Sequence, residues 1–171
     1  MLIPKKSLGQ NYLLDRNIAK KIINSINILN QTIIEIGPGM GNITDEIIIK
    51  NPKKLIIIEK DYKLYELLLK KYTNLKKLNI LNIDAFDYDY SIHKRVKIIS
   101  NLPYNIGTKL IIKLLCNHNI FSEMLFMIQK EVAQKMYHNK NNKNNKLKFF
   151  VEATSNFKII HNISNKVFYP I

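Results

Sequence analysis

The most informative stretch of the sequence is RVKIISNLPY, residues 95–104. Its apolar first part predicts a buried strand, and Pro103 cannot continue that strand because it has no N–H group and a fixed φ. Asn101, Leu102 and Tyr104 are therefore expected to present an amide, a backbone carbonyl and an aromatic ring where the strand ends. The amide oxygen and the carbonyl can accept both hydrogens of an amino group, and the ring can stack on a flat face. The stretch predicts either a simple turn or a site for a flat substrate with an amino group.

Strand-like and helix-like segments alternate five times along the chain, which predicts an α/β fold. Strands are predicted at residues 32–36, 54–59, 78–82, 95–100 and 124–128, and helices at residues 16–28, 44–50, 61–72, 108–115 and 130–137. Parallel neighbours need crossover connections, so this order predicts a mostly parallel sheet with helices on both faces. Residues 147–155 and 157–163 resemble two further strands. We expect them to complete a seven-stranded sheet with an antiparallel edge.

The composition is that of a basic protein with one domain, residues 1–171. There are 27 Lys and Arg against 13 Asp and Glu, a net charge of +14, which favours a nucleic-acid partner. Lys, Asn and Ile are abundant together, so part of this charge also fits an A/T-rich coding bias. Charge alone therefore favours a polyanionic partner without identifying it.

Cysteine, histidine and hydropathy argue against several other classes of protein. Cys116 is the single cysteine, so no disulfide framework or Cys-x-x-Cys metal site is expected, and an intracellular, reducing compartment fits. The four histidines lack ligand-like spacing, so no metal site is predicted. No apolar run approaches the roughly 20 residues of a membrane span. The sequence does not choose between an organelle and the cytoplasm or nucleolus.

Three segments lie outside the alternating pattern. Residues 1–14 have no helical or strand period and mix basic, amide and aromatic groups, so we expect them to lie over another part of the molecule. The tract NKNNKNNK, residues 139–146, is of low complexity and is predicted to be a surface loop. The chain stops at residues 168–171 without a terminal element, which is typical of a truncated product.

Glycines and polar residues collect where the predicted strands end. They are Glu35, Gly37, Gly39 and Gly41 on the first strand, Glu59 on the second, Asp84 on the third and Asn101 on the fourth. In sheets of this kind, ligands bind beyond the carboxyl ends of the strands. Each feature alone also fits a tight turn, a solvated strand end or a cap. Together they indicate a bound adenosine nucleoside, with Glu59 accepting from the ribose hydroxyls and Asp84 from the adenine amino group.

Two cofactors that contain adenosine fit such a pocket. A nicotinamide dinucleotide would need Gly-x-Gly-x-x-Gly and a positive end for its pyrophosphate. Here the spacing is Gly-x-Gly-x-Gly, and Glu35 stands directly before it. S-adenosylmethionine has no phosphate and carries an ammonium and a sulfonium, so a pocket with two or three carboxylates suits it better.

The motifs at these positions resemble those of the rRNA adenine N6,N6-dimethyltransferase family. They are GQNYL at 9–13, EIGPG at 35–39, Glu59, DA at 84–85, NLPYNI at 101–106 and QKEV at 129–132. The resemblance runs from about Lys5 to Pro170. It implies a Rossmann-like class I methyltransferase domain that uses S-adenosyl-L-methionine to dimethylate two adjacent adenosines near the 3′ end of small-subunit rRNA. It also implies a small helical C-terminal domain, absent here, and the pre-ribosomal small subunit as partner; we expect a monomer and no membrane.

The resemblance also assigns roles to individual residues. It implies that Asn11 and Leu13 cover the cofactor, that Gly37 lines its methionine part, and that Asn101 touches both cofactor and substrate. It implies that the target base stacks between Tyr104 and Phe168. The predicted catalytic residues are Asn101, Leu102, Tyr104 and Phe168, and the predicted cofactor-binding residues are Gln10, Asn11, Leu13, Glu35, Gly37, Gly39, Glu59, Lys60, Asp84, Ala85 and Asn101.

The chain departs from the family pattern in two places, and two rival functions stay open. Gly107 and Lys109 stand where Ser and Pro are usual, and the tract at 139–146 replaces the usual approach to the sixth strand. Both differences could alter how the RNA substrate docks on the protein. One rival is a related enzyme that methylates large-subunit rRNA, against which Gly9 argues. The other is a non-catalytic relative, a mitochondrial transcription factor or a ribosome-assembly factor, against which the intact NLPY motif argues.

Overall fold

The computed structural model describes residues 3–103, 105–137 and 146–170. Its strands are β1 (Tyr12–Leu13), β2 (Thr32–Ile36), β3 (Lys54–Ile58), β4 (Leu78–Leu81), β5 (Val96–Asn101), β6 (Phe121–Met127) and β7 (Phe168–Tyr169). Its α-helices are α1 (Arg16–Ile23), α2 (Asn42–Ile49), α3 (Tyr62–Lys71), α4 (Gly107–Cys116), α5 (Lys130–Tyr137) and α6 (Lys146–Thr154). Five strands form one parallel sheet in the order β4-β3-β2-β5-β6, which confirms the predicted α/β class.

Alternate side chains of the central strands enter two separate cores, as the two-residue period of a strand requires. Ile34, Ile56 and Ile98 are buried together on one face, where α4 packs. Ile33 and Ile57 are buried on the other face against α1, α2 and α3. Both faces of the sheet are therefore covered, which is why its central strands β2, β3 and β5 are rich in isoleucine.

Two aspartates cap the helices that follow them. Asp15 accepts hydrogen bonds from the N–H groups of Asn17 and Ile18 at the start of α1, and Asp61 accepts from the N–H of Lys63 at the start of α3. The predicted helix at 16–28 is shorter than expected, since α1 ends at Ile23. The chain then turns toward the amino-terminal edge of the sheet, where β2 begins.

The prediction of a seven-stranded sheet with an antiparallel edge is wrong. Residues 146–154 form α6, which packs on α4 and α5, and residues 157–163 form no strand. Leu147, Phe150 and Val151 recur at helical spacing, and Val151 is buried, so tertiary packing favoured a helix over the strand that the apolar and aromatic residues suggest. β7 instead pairs antiparallel with β1 as a separate two-stranded sheet.

Two further points concern the segments outside the sheet. The predicted loop at 139–146 lies outside the described residues except for Lys146, which begins α6. In the part of the chain that the structure describes, no helix combines the length and apolarity that crossing a membrane requires.

Candidate functional site

The strand order brings four strand ends to one cleft. β2 lies between β3 and β5, so the chain changes direction across the sheet at this point, where ligands of such folds bind. Residues 7–13 line the same cleft. Eleven of the predicted site residues line this cleft, namely Gln10, Asn11, Leu13, Gly37, Gly39, Glu59, Lys60, Asp84, Ala85, Asn101 and Leu102.

The turn after β2 gives the cleft a floor of bare backbone. Gly37 and Gly39 have φ angles of +65° and +59°, a conformation that side chains rarely adopt. A Cβ built on Gly37 would meet open space, with the nearest atom, the Asn101 carbonyl oxygen, 4.0 Å away. A Cβ on Gly39 would lie 3.0 Å from the ring of Tyr12. The glycine turn therefore lets both a ligand and the N-terminal segment approach the backbone closely.

Glu59 follows β3 and is the buried carboxylate of the cleft. Its Oε1 accepts a hydrogen bond of 2.7 Å from the Asp61 N–H, and only 6% of the residue is exposed. Burial raises the pKa of Glu59 to about 7, although backbone hydrogen bonds partly oppose this. A buried carboxylate at a strand end can accept from two neighbouring hydroxyls, which suits a ribose.

Asp84 follows β4 and is already engaged on both oxygens. Its Oδ1 accepts from the Phe86 N–H at 2.9 Å, and its Oδ2 forms an ion pair of 2.6 Å with the exposed Lys60. Burial alone would raise the pKa of Asp84, but the hydrogen bond from Lys60 holds it below its ordinary value. Asp84 is therefore a carboxylate acceptor at this end of the cleft, and Lys60 can leave it because most of the lysine side chain is in solvent.

Asn101 and Leu102 lie at the end of β5 on the opposite side of the cleft. The Asn101 Nδ2 donates a hydrogen bond of 2.7 Å to the backbone carbonyl of Asn11. The Leu102 N–H donates to the Met127 carbonyl at 3.1 Å, and the residue is buried. Among the described residues, nothing donates to Asn101 Oδ1 or to the Leu102 carbonyl. Two acceptors are thus available together, as an amino group requires.

Two predicted site residues, Glu35 and Phe168, do not line the cleft in this structure. Glu35 is fully buried behind the glycine turn, where it accepts a hydrogen bond of 2.7 Å from Thr44; burial raises its pKa to about 8. Phe168 pairs with Leu13 and packs into the core on the side of α1. Tyr104 lies outside the described residues. Glu35 is therefore corrected from a ligand contact to an internal support, because its side chain points away from the cleft surface.

Two residues that hold the site were not predicted as part of it. Asn42, the first residue of α2, donates from Nδ2 to the Leu13 carbonyl at 2.6 Å. Asp61 accepts from both Lys5 and Gln10 at 2.9 Å. Asp61 is recognisable in the sequence only as a helix cap, because its partners are more than fifty residues away. In the described residues, no three potential metal ligands come together.

Comparison with known proteins gives this cleft a family. Residues 2–171 match the family model described as Ribosomal RNA adenine dimethylase. The chain is 42% identical over 137 residues to ribosomal RNA small subunit methyltransferase A of Hydrogenobaculum sp. (strain Y04AAS1), covering 80% of this chain and 53% of that protein. It is 38% identical to the protein of the same name from Malacoplasma penetrans (strain HF-2), covering 96% of this chain and 61% of the relative.

Solved structures agree with the sequence comparison. A dimethyladenosine transferase from Plasmodium falciparum superposes with a TM-score of 0.69 and 29% identity, over 82% of this chain and 51% of that one. The 23S rRNA methyltransferase ErmE, 21% identical over 72% of this chain and 50% of its own with a TM-score of 0.64, shows the same fold. The chain spans 53% of the length of one curated relative and 61% of the other. The fold, the cleft and the match over residues 2–171 together show that the chain belongs to the ribosomal RNA adenine dimethylase family.

Proposed function

We propose that the chain is a methyltransferase domain that transfers methyl groups from S-adenosyl-L-methionine to N6 of two adjacent adenosines near the 3′ end of small-subunit rRNA. The observation that carries the proposal is the pair of available acceptors, Asn101 Oδ1 and the Leu102 carbonyl, in the same cleft as Glu59 and Asp84. The family membership and the names of the relatives support the same assignment.

The donor set of the cleft fits S-adenosylmethionine. The open space above Gly37 would take the methionine part against bare backbone, Glu59 would accept from the ribose hydroxyls, and Asp84 would accept from the adenine amino group once Lys60 moves aside. The two carboxylates also suit a ligand that carries positive charge. When bound, this cofactor supplies a methyl group that its sulfonium has already activated.

On the substrate side, the protein has to position a weak nucleophile. The lone pair of adenine N6 is delocalised into the ring, and hydrogen bonds from N6 to Asn101 Oδ1 and the Leu102 carbonyl favour a pyramidal nitrogen whose lone pair is free. No strong base is needed, because the ammonium product is acidic and loses its proton to water. In-line positioning of this kind can supply roughly 7–11 kcal/mol.

The target base has to leave its stack to reach the cleft, which is usual for enzymes that modify bases. The net charge of +14 provides cations for phosphates. Lys109 is exposed in the first turn of α4, shortly after the β5 end that supplies the acceptors. Such contacts hold RNA without reading its sequence, so binding is expected to weaken steeply as salt rises.

The test is transfer of radiolabelled methyl groups from S-adenosylmethionine to purified small-subunit particles, followed by mapping of the modified bases. We expect label in two adjacent adenosines near the 3′ end of the small-subunit rRNA, and none in large-subunit particles used as the control. Label in large-subunit rRNA alone would assign the chain to the rival substrate. No label in either particle, with cofactor binding intact, would contradict the enzymatic proposal and favour a non-catalytic relative.

A further inference from the structure

We infer that Gln10 is a positioning residue: it fixes residues 4–14, here called the N-terminal strap, so that the Asn11 carbonyl orients the amide of Asn101. The inference rests on the proposed function, in which Asn101 Oδ1 accepts from the substrate amine. It extends that function by giving Gln10, which lines the cleft and is predicted to bind the cofactor, a second role through its hydrogen bonds to the chain itself.

The Asn101 amide needs an external partner to hold its direction. An asparagine side chain has a donor end and an acceptor end of the same shape, and rotation by 180° exchanges them. The hydrogen bond of 2.7 Å from Nδ2 to the Asn11 carbonyl breaks this symmetry, since the rotated amide would bring two oxygens together. The Asn11 carbonyl thereby leaves Oδ1 as the end that can accept from a substrate.

The position of Asn11 depends on how the chain is held on each side. On the C-terminal side, the Leu13 carbonyl accepts from Asn42, and β1 pairs with β7. On the N-terminal side, the side chain next to Asn11 is Gln10. If the contacts on the N-terminal side of the strap were lost, the Asn11 carbonyl would move relative to β5 and release the Asn101 amide.

Gln10 uses both ends of its own amide to hold the strap. Its Oε1 accepts from the Lys5 N–H at 2.7 Å and from the Tyr12 hydroxyl at 2.8 Å, and its Nε2 donates to Asp61 Oδ2 at 2.9 Å. Burial raises the pKa of Tyr12 to about 12, so its hydroxyl keeps the proton that it donates. Only a side chain that donates and accepts at once can make all three bonds.

Asp61 anchors this arrangement to the body of the domain. It is buried, caps α3, and accepts from Lys5 Nζ as well as from Gln10. Its backbone N–H also donates to Glu59 Oε1 at 2.7 Å. Because that last bond uses the backbone, a change at Gln10 leaves it in place. We therefore expect the loss of Gln10 to affect methyl transfer more than cofactor affinity.

The experiment compares Gln10→Met with wild type on small-subunit particles. Methionine keeps the length of the side chain and removes all three hydrogen bonds. We expect the rate at saturating substrate to fall about tenfold or more while KM for S-adenosylmethionine changes less than about threefold. Gln31→Met is the matched control, because Gln31 lies before β2 and its amide donates only a long bond of 3.5 Å to the Leu29 carbonyl. An unchanged rate in Gln10→Met, or a loss confined to KM, would overturn the inference.

A second readout needs no catalysis. The side-chain NH₂ signals of Asn101, assigned by their loss in Asn101→Ala, should exchange with solvent faster in Gln10→Met than in wild type or Gln31→Met. Unchanged exchange would overturn the orienting role even if activity falls.

If wild type transfers no methyl group, the proposed function fails, but the exchange of the Asn101 amide protons still tests the role of the strap. If Gln10→Met does not fold, Tyr12→Phe removes one of the three bonds and should change both readouts less, in the same direction; no change would count against the inference.

Discussion

The two edges of the parallel sheet treat their polar groups in opposite ways. At the amino-terminal edge, Lys97 Nζ donates to the Asn27 carbonyl and to Glu123 Oε2, each at 2.8 Å, and the Gln31 carbonyl accepts from the Lys53 N–H at 2.8 Å. At the carboxyl-terminal edge, two acceptors of the β5 end receive no hydrogen bond from the described residues. The same fold thus closes one edge internally and leaves the other ready for a partner.

Whether polar groups have internal hydrogen-bond partners indicates the functional edge of the sheet better than the presence of polar groups does. Both edges carry charged and amide groups, but a half-buried acceptor without an internal partner costs free energy unless water or a ligand satisfies it. Among the described residues of the amino-terminal edge, Lys97 Nζ and the Gln31 carbonyl both have internal partners and carry no such cost. Substitutions of residues that line the cleft at the carboxyl-terminal edge should therefore act on binding and turnover, and those at the other edge on stability alone.

The largest effect is expected for Asn101→Ala. It removes one of the two acceptors and the bond to the Asn11 carbonyl, and loss of one preorganised polar contact to a reacting group typically costs a hundredfold or more in turnover. Cofactor affinity should change much less. Methyl transfer and cofactor binding are measured on the same preparation, with Asn27→Ala at the other edge as control, since it keeps the carbonyl that Lys97 uses. Near-normal turnover of Asn101→Ala would remove Asn101 from the mechanism.

The next effect separates the two buried carboxylates, Glu59 and Glu35. Glu59→Gln should weaken adenosine binding about tenfold, because hydrogen bonds to a charged acceptor are stronger than those to a neutral one. Glu35→Gln should leave adenosine affinity nearly unchanged, since Glu35 does not line the cleft.

The same carboxylate predicts a pH dependence of binding. Because the pKa of Glu59 is raised to about 7, the adenosine affinity of wild type should rise as pH increases through 7, and this rise should vanish in Glu59→Gln. Calorimetric titration from pH 5.5 to 8.5 measures both, and equal losses for the two variants would contradict the assignment.

The sequence predicts the cleft edge well because the relevant signals there are local. Glycines, a proline and polar residues directly after β-branched runs identify strand ends, and parallel strands bring such ends together. The residues that support the cleft are harder to predict. Gln10 and Asp61 are 51 positions apart, and no local pattern joins them.

Two errors show where sequence reasoning stops. Residues 147–151 are rich in apolar and aromatic side chains, which suits a strand, yet packing of Val151 and Phe150 against the core makes them helical. Glu35 and Glu59 are both carboxylates at strand ends, but Glu35 lies inside β2 whereas Glu59 lies one residue past β3. Glu35 pairs with Ile57, two residues before Glu59, so Glu35 is enclosed within the sheet whereas Glu59 reaches the cleft. Sequence patterns do not predict strand ends to within two residues.

A smaller effect concerns stability and comes from Glu35. Because folding raises the pKa of Glu35 from about 4.5 to about 8, the folded state binds a proton that the unfolded state releases. Stability is therefore fully retained below the unfolded pKa and is lost as pH rises toward 8, by at most about 1.4 kcal/mol per pH unit. Glu59 contributes in the same direction only up to about pH 7. Between pH 7 and 8, urea unfolding should show wild type losing stability and Glu35→Gln holding it; parallel curves would contradict the buried neutral carboxyl.

The smallest effect is expected at the amino-terminal edge, for Lys97→Met. Methionine fills the buried stem of the side chain but loses the bonds to Asn27 and Glu123. Because Glu123 is half exposed and returns to water, the ion pair contributes little, and the free energy of unfolding should fall by only about 1 kcal/mol. Methyl transfer should stay within about twofold of wild type, since mutations far from a site act through stability alone. A clear loss of turnover in a folded Lys97→Met protein would mean that the two edges are coupled through β5, and that the closed edge is part of the site.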